Sequence, residues 1–231
     1  MSLPRFLLIG AIVCTCWDCI TSPPTEFGAT AAARREKLGS CPKGLIDDLD
    51  DGDSQVVKTE DRDGYWFTFV DTEGSTVSPK GDFKPDAGGP NGSKFAARMH
   101  GKIGSTGKSL YAGMGVNLRN PKGAYDASKY KGVSFWAKGP GKVRFEALDV
   151  NTSPEGDRCR DCYNHCGVEL FLSNDWTHYT VPFDRLAQQP GWGDPDPEVT
   201  RNALFAVQWQ FKTPNADYDI WVDDVAFVGC P

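Results

Sequence analysis

With 231 residues and a formal net charge of −6, the chain has room for one large β-domain or two small ones, and its acidity argues against a nucleic-acid partner, whose phosphates require a basic stripe. Hydrophobic residues at 39% and charged residues at 24% match a folded globular protein and exclude disorder along the whole length. The 25 Gly and 16 Pro are spread between short apolar runs, as a turn-rich all-β chain requires.

At the amino terminus Arg5 precedes an apolar run over residues 6–13, too short to span a bilayer and of the length of a signal core. Cys14, Cys16 and Cys19 follow, leaving open a lipid anchor at one of them or ordinary cleavage before Thr25. Residues 1–19 are therefore expected to be a signal peptide or lipoprotein signal. Residues 20–40, with Arg34, Arg35 and Lys37, read as a flexible tether, and residues 41–231 as the folded domain. The mature chain is expected to lack a transmembrane helix and to be exported, either secreted or anchored at the cell envelope.

Eight cysteines suit an oxidising compartment. Cys41 and Cys230 flank the domain, and a bridge between them would stabilise it by about 4–5 kcal/mol on the chain-entropy model. Cys159, Cys162 and Cys166 form an odd set, so one of them is expected to stay a free thiol unless a cysteine near the signal pairs with it. With His165 they also offer three thiolates and an imidazole to zinc, the alternative to a local disulfide.

Strand-like runs are expected at 44–49, 65–70, 94–100, 109–118, 132–138, 142–148, 168–172, 178–183, 203–211 and 219–228, separated by turn chemistry such as Lys138-Gly139-Pro140-Gly141 and Ser173-Asn174-Asp175. No long stretch has a helical period. The fold class is all-β, a jelly-roll β-sandwich of two antiparallel sheets. Alternation puts Val133, Phe135 and Ala137 on one face of a strand; Val143, Phe145 and Ala147 on one face of the next; and Phe205, Val207, Trp209 and Phe211 on one face of a third. Those faces are core. The opposite faces carry Trp136, Arg144, Glu146, Gln208 and Gln210, suited to sugar hydroxyls and a pyranose face, and equally consistent with an ordinary solvated surface.

Catalytic signatures such as a nucleophile elbow, a phosphate loop or a dinucleotide glycine pattern are missing, and His100, His165 and His178 are scattered. Carboxylates are plentiful, but no pair stands out as a glycosidase pair. The acidic run from Asp47 to Asp53 is not an EF-hand, because aligning Gly52 places Leu49 at a ligand position and Lys58 where a bidentate Glu belongs. Calcium held by separate segments, with Asp223 and Asp224 as partners, and a solvated acidic turn both remain open.

These residues together resemble carbohydrate-binding module family 11. Ile46-Asp47-Asp48-Leu49-Asp50-Asp51-Gly52 is similar to that family's Asp-Asp-Phe-Glu-Gly opening, and the segment from Ser128 to Lys138 to its central strand. The segment from Asp175 to Phe183 resembles its Trp-containing strand ending in Pro-Phe, and Ile220-Trp221-Val222-Asp223-Asp224-Val225 its closing strand. The four matches keep the family's order. The resemblance implies a galactose-binding-like jelly roll with structural calcium, in which Asp50 and Asp223 correspond to the acidic residues of the opening and closing motifs. It further implies a concave face that binds polysaccharide of the β-glucan type and catalyses nothing. Tyr65, Trp66 and Trp192 are further aromatic platforms. The alternatives are a jelly-roll assembly factor that binds no sugar and a small glycoside hydrolase.

Overall fold

A computed structural model describes residues 39–231; the signal, most of the tether and the choice between cleavage and lipidation lie outside the described residues. Twelve strands form: β1 (Ser40–Asp47), β2 (Trp66–Val70), β3 (Thr76–Ser78), β4 (Asp86–Ala87), β5 (Phe95–Lys102), β6 (Ala112–Asn117), β7 (Gly132–Lys138), β8 (Lys142–Asp149), β9 (Cys166–Phe171), β10 (Thr177–Pro182), β11 (Leu204–Phe211) and β12 (Asp217–Val228). Ten correspond to the runs expected from alternation. The two additions, β3 and β4, are two or three residues long, too short to show a period.

One sheet has the order β10-β7-β12-β5-β3, with β1 also paired to β12 and β4 to β5. The other runs β2-β6-β11-β8-β9. Every pairing is antiparallel, and the two sheets make a sandwich of the jelly-roll type. Consecutive strands β7 and β8, joined by a three-residue turn, belong to different sheets.

The core forms where the sequence places it. Trp209 of β11 meets Phe135 of β7 and Phe145 of β8 edge-on at 5.0 and 5.6 Å, and stacks on Trp66 of β2 at 5.9 Å. Trp66 is sandwiched by Phe83 at 5.6 Å and donates its indole N–H to Asp47 Oδ2 at 2.7 Å. It is therefore a core residue and no ligand platform: only 3% of it is exposed, because at the start of β2 it points inward.

Cys41 and Cys230 are bridged, with Cα atoms 5.6 Å apart, fastening β1 to the end of β12. Cys159 and Cys162 form a second, local disulfide, which removes the thiolates that zinc would need. Cys166, a candidate for bridging on sequence, is the one of the three that stays free, a buried thiol. It opens β9 with its side chain in the core, where burial pushes the thiol up to about 12.

Candidate functional site

The outer face of the five-stranded sheet collects four of the expected residues. In β11, Gln208 and Gln210 alternate with the core residues Val207, Trp209 and Phe211. Register then sets Gln208 beside Gly115 and Glu146, and Gln210 beside Gly113 and Arg144. Arg144, Glu146, Gln208 and Gln210 thus share one surface because β8 and β11 are direct neighbours with the same parity.

Three of the four spend their polar groups on one another. Arg144 Nε donates to Glu146 Oε1 at 3.0 Å, and Gln208 Nε2 donates to Glu146 Oε2 at 2.6 Å. Arg144 Nη2 donates to the Ala187 carbonyl at 2.6 Å and to the His165 carbonyl at 3.3 Å. All three residues are buried. Burial raises the Glu146 carboxyl, while the bond from Gln208 and the charge of Arg144 pull the other way. Gln210 differs: its Oε1 is shielded from solvent and has no hydrogen-bond partner in the protein.

On the β2 side of this face the sequence reading missed an aromatic row. A Cβ on Gly113 would come within 2.1 Å of Phe69 Cζ, and one on Gly115 within 2.7 Å of Phe67 Cζ, so both rings lie over glycines of β6. Phe67 and Phe69 are 6.0 Å apart, and Phe69 is 6.1 Å from Tyr111. The signal was available, since alternation sends Phe67 and Phe69 to the face opposite Trp66. Tyr65 is half-buried in an isolated bridge to Gln55 and lines no part of the groove described next.

That groove crosses the ends of the strands. It consists of two adjoining clefts of about 470 and 270 Å³ that share Gln189, Lys212 and Pro214. The larger is lined by the 107–110 loop and Trp192; the smaller by Lys142, Arg144, Glu169 and Gln210. Trp192 is 41% exposed, with Lys212 Nζ 5.6 Å from its ring centre and 3.2 Å from Gln189 Oε1. The loop that carries Trp192 is tied down by Asn164, whose Nδ2 donates to the carbonyls of Gln189 at 2.8 Å and Trp192 at 2.6 Å. Asn164 Oδ1 accepts from the Gln189 amide at 3.0 Å. Next to the Cys159–Cys162 disulfide, Asp161 accepts from the amides of Gly193 and Asp194.

Trp136 does not belong to this surface. It projects from β7 on the outer side of the seven-stranded sheet and meets His178 edge-on at 5.2 Å. Its neighbours there are Trp176 and Trp221, with Lys138 Nζ held 5.0 and 4.7 Å from their rings and Arg98 4.7 Å from Trp221. Parity assigns a side within a sheet, but the β7–β8 turn changes sheets, so Trp136 and Arg144 point away from each other on opposite sides of the sandwich.

The acidic residues of the opening and closing motifs do meet. Asp50 Oδ1 accepts from Ser93 Oγ at 3.1 Å and from the Lys94 amide at 2.7 Å. Asp223 is fully buried; its Oδ1 accepts from the Asp224 amide at 2.7 Å, and its Oδ2 is buried without a partner. Burial first, and then the charges of Asp224 and Asp50, push Asp223 up to about 7. A buried oxygen without a donor, next to a second carboxylate, fits a hard cation. Among the described residues no set of three or more His, Cys, Asp or Glu stands at metal-binding spacing.

The sandwich has the fold of carbohydrate-binding modules. More narrowly, it is similar to family 11. It superposes on the family 11 module of a cellulosomal cellulase of Clostridium thermocellum with a TM-score of 0.55 and 18% identity, over 71% of this chain and 88% of that one. A family 11 module of the same organism in complex with a β-1,3-1,4-mixed-linked tetrasaccharide matches with a TM-score of 0.55 and 16% identity, over 81% and 95% of the two chains. A family 30 carbohydrate-binding module matches with a TM-score of 0.52 and 16% identity, over 78% and 96%. No protein-family model and no curated protein matches the chain.

Proposed function

We propose that this protein is a non-catalytic carbohydrate-binding module that holds a polysaccharide of the β-glucan type in the groove across its five-stranded sheet. The observation that carries this reading is the groove itself, which joins an exposed indole to open polar groups over a rigid floor. Trp192 offers a flat apolar ring, and Gln189, Ser109 and Lys212 offer hydrogen bonds to hydroxyls. Beneath them, the Arg144–Glu146–Gln208 network fixes the sheet surface. Each sugar bond contributes only about 0.5–1.5 kcal/mol net, so affinity accumulates over several subsites. The likeness to a module in complex with a mixed-linkage tetrasaccharide supports a β-glucan chain as the ligand. The absence of catalysis is supported by the state of the nearby carboxylates: Glu146 is locked between Arg144 and Gln208, and Glu169 is paired with Lys142 at 2.8 Å.

In the same proposal Asp50 and Asp223 hold a structural calcium ion, and the protein is exported, secreted or lipid-anchored at the cell envelope. Among the described residues no helix is long and apolar enough to cross a membrane. The test is calorimetric titration of the protein with mixed-linkage β-glucan and cello-oligosaccharides in calcium. Saturable binding that Trp192→Ala abolishes while Trp136→Ala leaves it intact is the expected result. Loss of binding with Trp136→Ala alone would move the site to the other sheet, and no heat with any glycan would reduce the likeness to fold.

A further inference from the structure

The groove is not electrically uniform, and we infer that its Trp192 end is a subsite for an anionic sugar residue, whose carboxylate or sulfate is taken by Lys108 and Lys212. This inference rests on the groove being a glycan site, and adds that the β-linked chain it takes carries an acidic residue at that end.

The two cations that line only the smaller cleft are already neutralised. Lys142 is paired with Glu169 at 2.8 Å, and Arg144 with Glu146 at 3.0 Å. The larger cleft is built differently: its lining includes two lysines and no carboxylate. Among the described residues neither Lys108 nor Lys212 makes an ion pair. The acids nearest this end are held by other donors. Glu73 accepts from the backbone amides of Lys108 and Ser109, and so supports the loop, while Glu146 lies in the network beneath.

Lys212 gives the site its character. Its ammonium is half-buried, and its partners are the neutral Gln189 Oε1 and the face of Trp192. A partly buried ammonium without a direct ion pair is costly, and a charge-assisted bond to an incoming anion offsets that cost. A neutral sugar hydroxyl does not. Burial lowers Lys212, and the charge of Glu146 in the network beneath, itself paired with Arg144, offsets that only in part. Lys108, exposed, lines the same cleft from the 107–110 loop, so an anion in the cleft meets two positive charges. The cleft, at about 470 Å³, lies within the usual range of small-ligand sites, and Trp192 provides the platform for the sugar ring.

The test is titration of the full chain with a β-linked oligosaccharide ending in glucuronate, its carboxyl-reduced neutral counterpart, and a sulfated counterpart, at low and high salt. The acidic ligand is expected to bind on the order of 10-fold tighter than the neutral one, with the gain eroded by salt. Lys212→Met, which keeps the apolar stem against Trp192, is expected to weaken the acidic ligand about 10-fold more than the neutral one, so that the two bind alike. A gain with glucuronate alone assigns a carboxylate, and a gain with both anions assigns any anionic substituent. Equal affinity for neutral and acidic ligands overturns the inference and leaves the groove reading standing. So does a Lys212→Met variant that weakens both equally, since Lys212 would then act only by placing Trp192. Binding of none of the three defeats the groove reading, and the inference with it.

Discussion

Replacing Asn164 by alanine should release the loop that carries Trp192 while leaving the sandwich folded. The side chain makes three hydrogen bonds to that loop, at 2.6, 2.8 and 3.0 Å, and is buried, so water cannot replace them. At roughly 0.5–1.5 kcal/mol net for each bond, the loss amounts to about 2–4 kcal/mol of local stability. With tenfold per about 1.4 kcal/mol, amides of residues 187–193 should exchange about 30- to 1000-fold faster. The remaining anchors are the paired backbone bonds of Gly167 with Ala187, the bonds of Gln188 Nε2 to the Asn164 and Asp194 carbonyls, and the contacts of Asp161 with Gly193 and Asp194. They lie on either side of Trp192, which is why the opening is local. Hydrogen exchange read by mass spectrometry on peptides covering 186–199 is the assay, with peptides of β7 and β11 as internal controls. Affinity for a glycan that binds the native groove should fall in parallel. Unchanged exchange over 186–199, or faster exchange spread evenly through β7 and β11, would refute the idea that Asn164 is the local clamp.

Three further outcomes follow from the same contacts. His165 is buried, and burial, with the charges of Lys122, Lys212 and Arg144, pushes it down to about 3. The unfolded chain therefore binds this proton first, so this contribution is complete well above pH 6.5 and is lost as pH falls, by about 2 kcal/mol between pH 6.5 and 4.5. In urea unfolding, His165→Gln should remove that part of the slope; parallel profiles for the two proteins would contradict it. Gly113→Ala places a Cβ where the Phe69 ring lies, so it should cost about 1–3 kcal/mol in thermal or urea unfolding and displace the aromatic row, and an unchanged stability would show that Phe69 moves freely. If Asp50 and Asp223 hold calcium, chelation should lower the thermal midpoint of the native protein and leave that of Asp223→Asn unmoved; a native midpoint indifferent to chelator removes calcium from the proposal.

Much of the fold was legible because the physics that makes it is local. Alternation in 132–138, 142–148 and 203–211 identified Phe135, Phe145 and Trp209, which meet at the centre of the core. The Cys41–Cys230 bridge was legible from the positions of the two cysteines. Strands β3 and β4 were not, since two or three residues beside β5 have no period of their own and are defined by their partner. That one of Cys159, Cys162 and Cys166 stays free was legible from their odd number, but not that it is Cys166, because spacing to Cys162 does not show that the chain turns into β9 and the core between them.

The site was legible only as far as parity reaches. Parity joined Arg144 and Glu146 to Gln208 and Gln210, and their strands proved adjacent. It could not say that Trp136 lies in the other sheet, nor that Gly113 and Gly115 lie beneath the rings of Phe69 and Phe67, because sheet membership and register arise from pairing between distant segments. Trp192 sits in an aperiodic loop, positioned by the Asn164 side chain. There is also a chemical reason why residue type alone misjudged the site. Arg144, Glu146 and Gln208 look like sugar ligands, yet their hydrogen-bonding capacity is largely consumed among themselves and by the carbonyls of Ala187 and His165. What can recognise a ligand is what retains capacity: the half-buried Lys212 and the exposed ring of Trp192. The buried network keeps the surface beneath those groups rigid, so that little ordering remains to be done when a flexible sugar chain arrives.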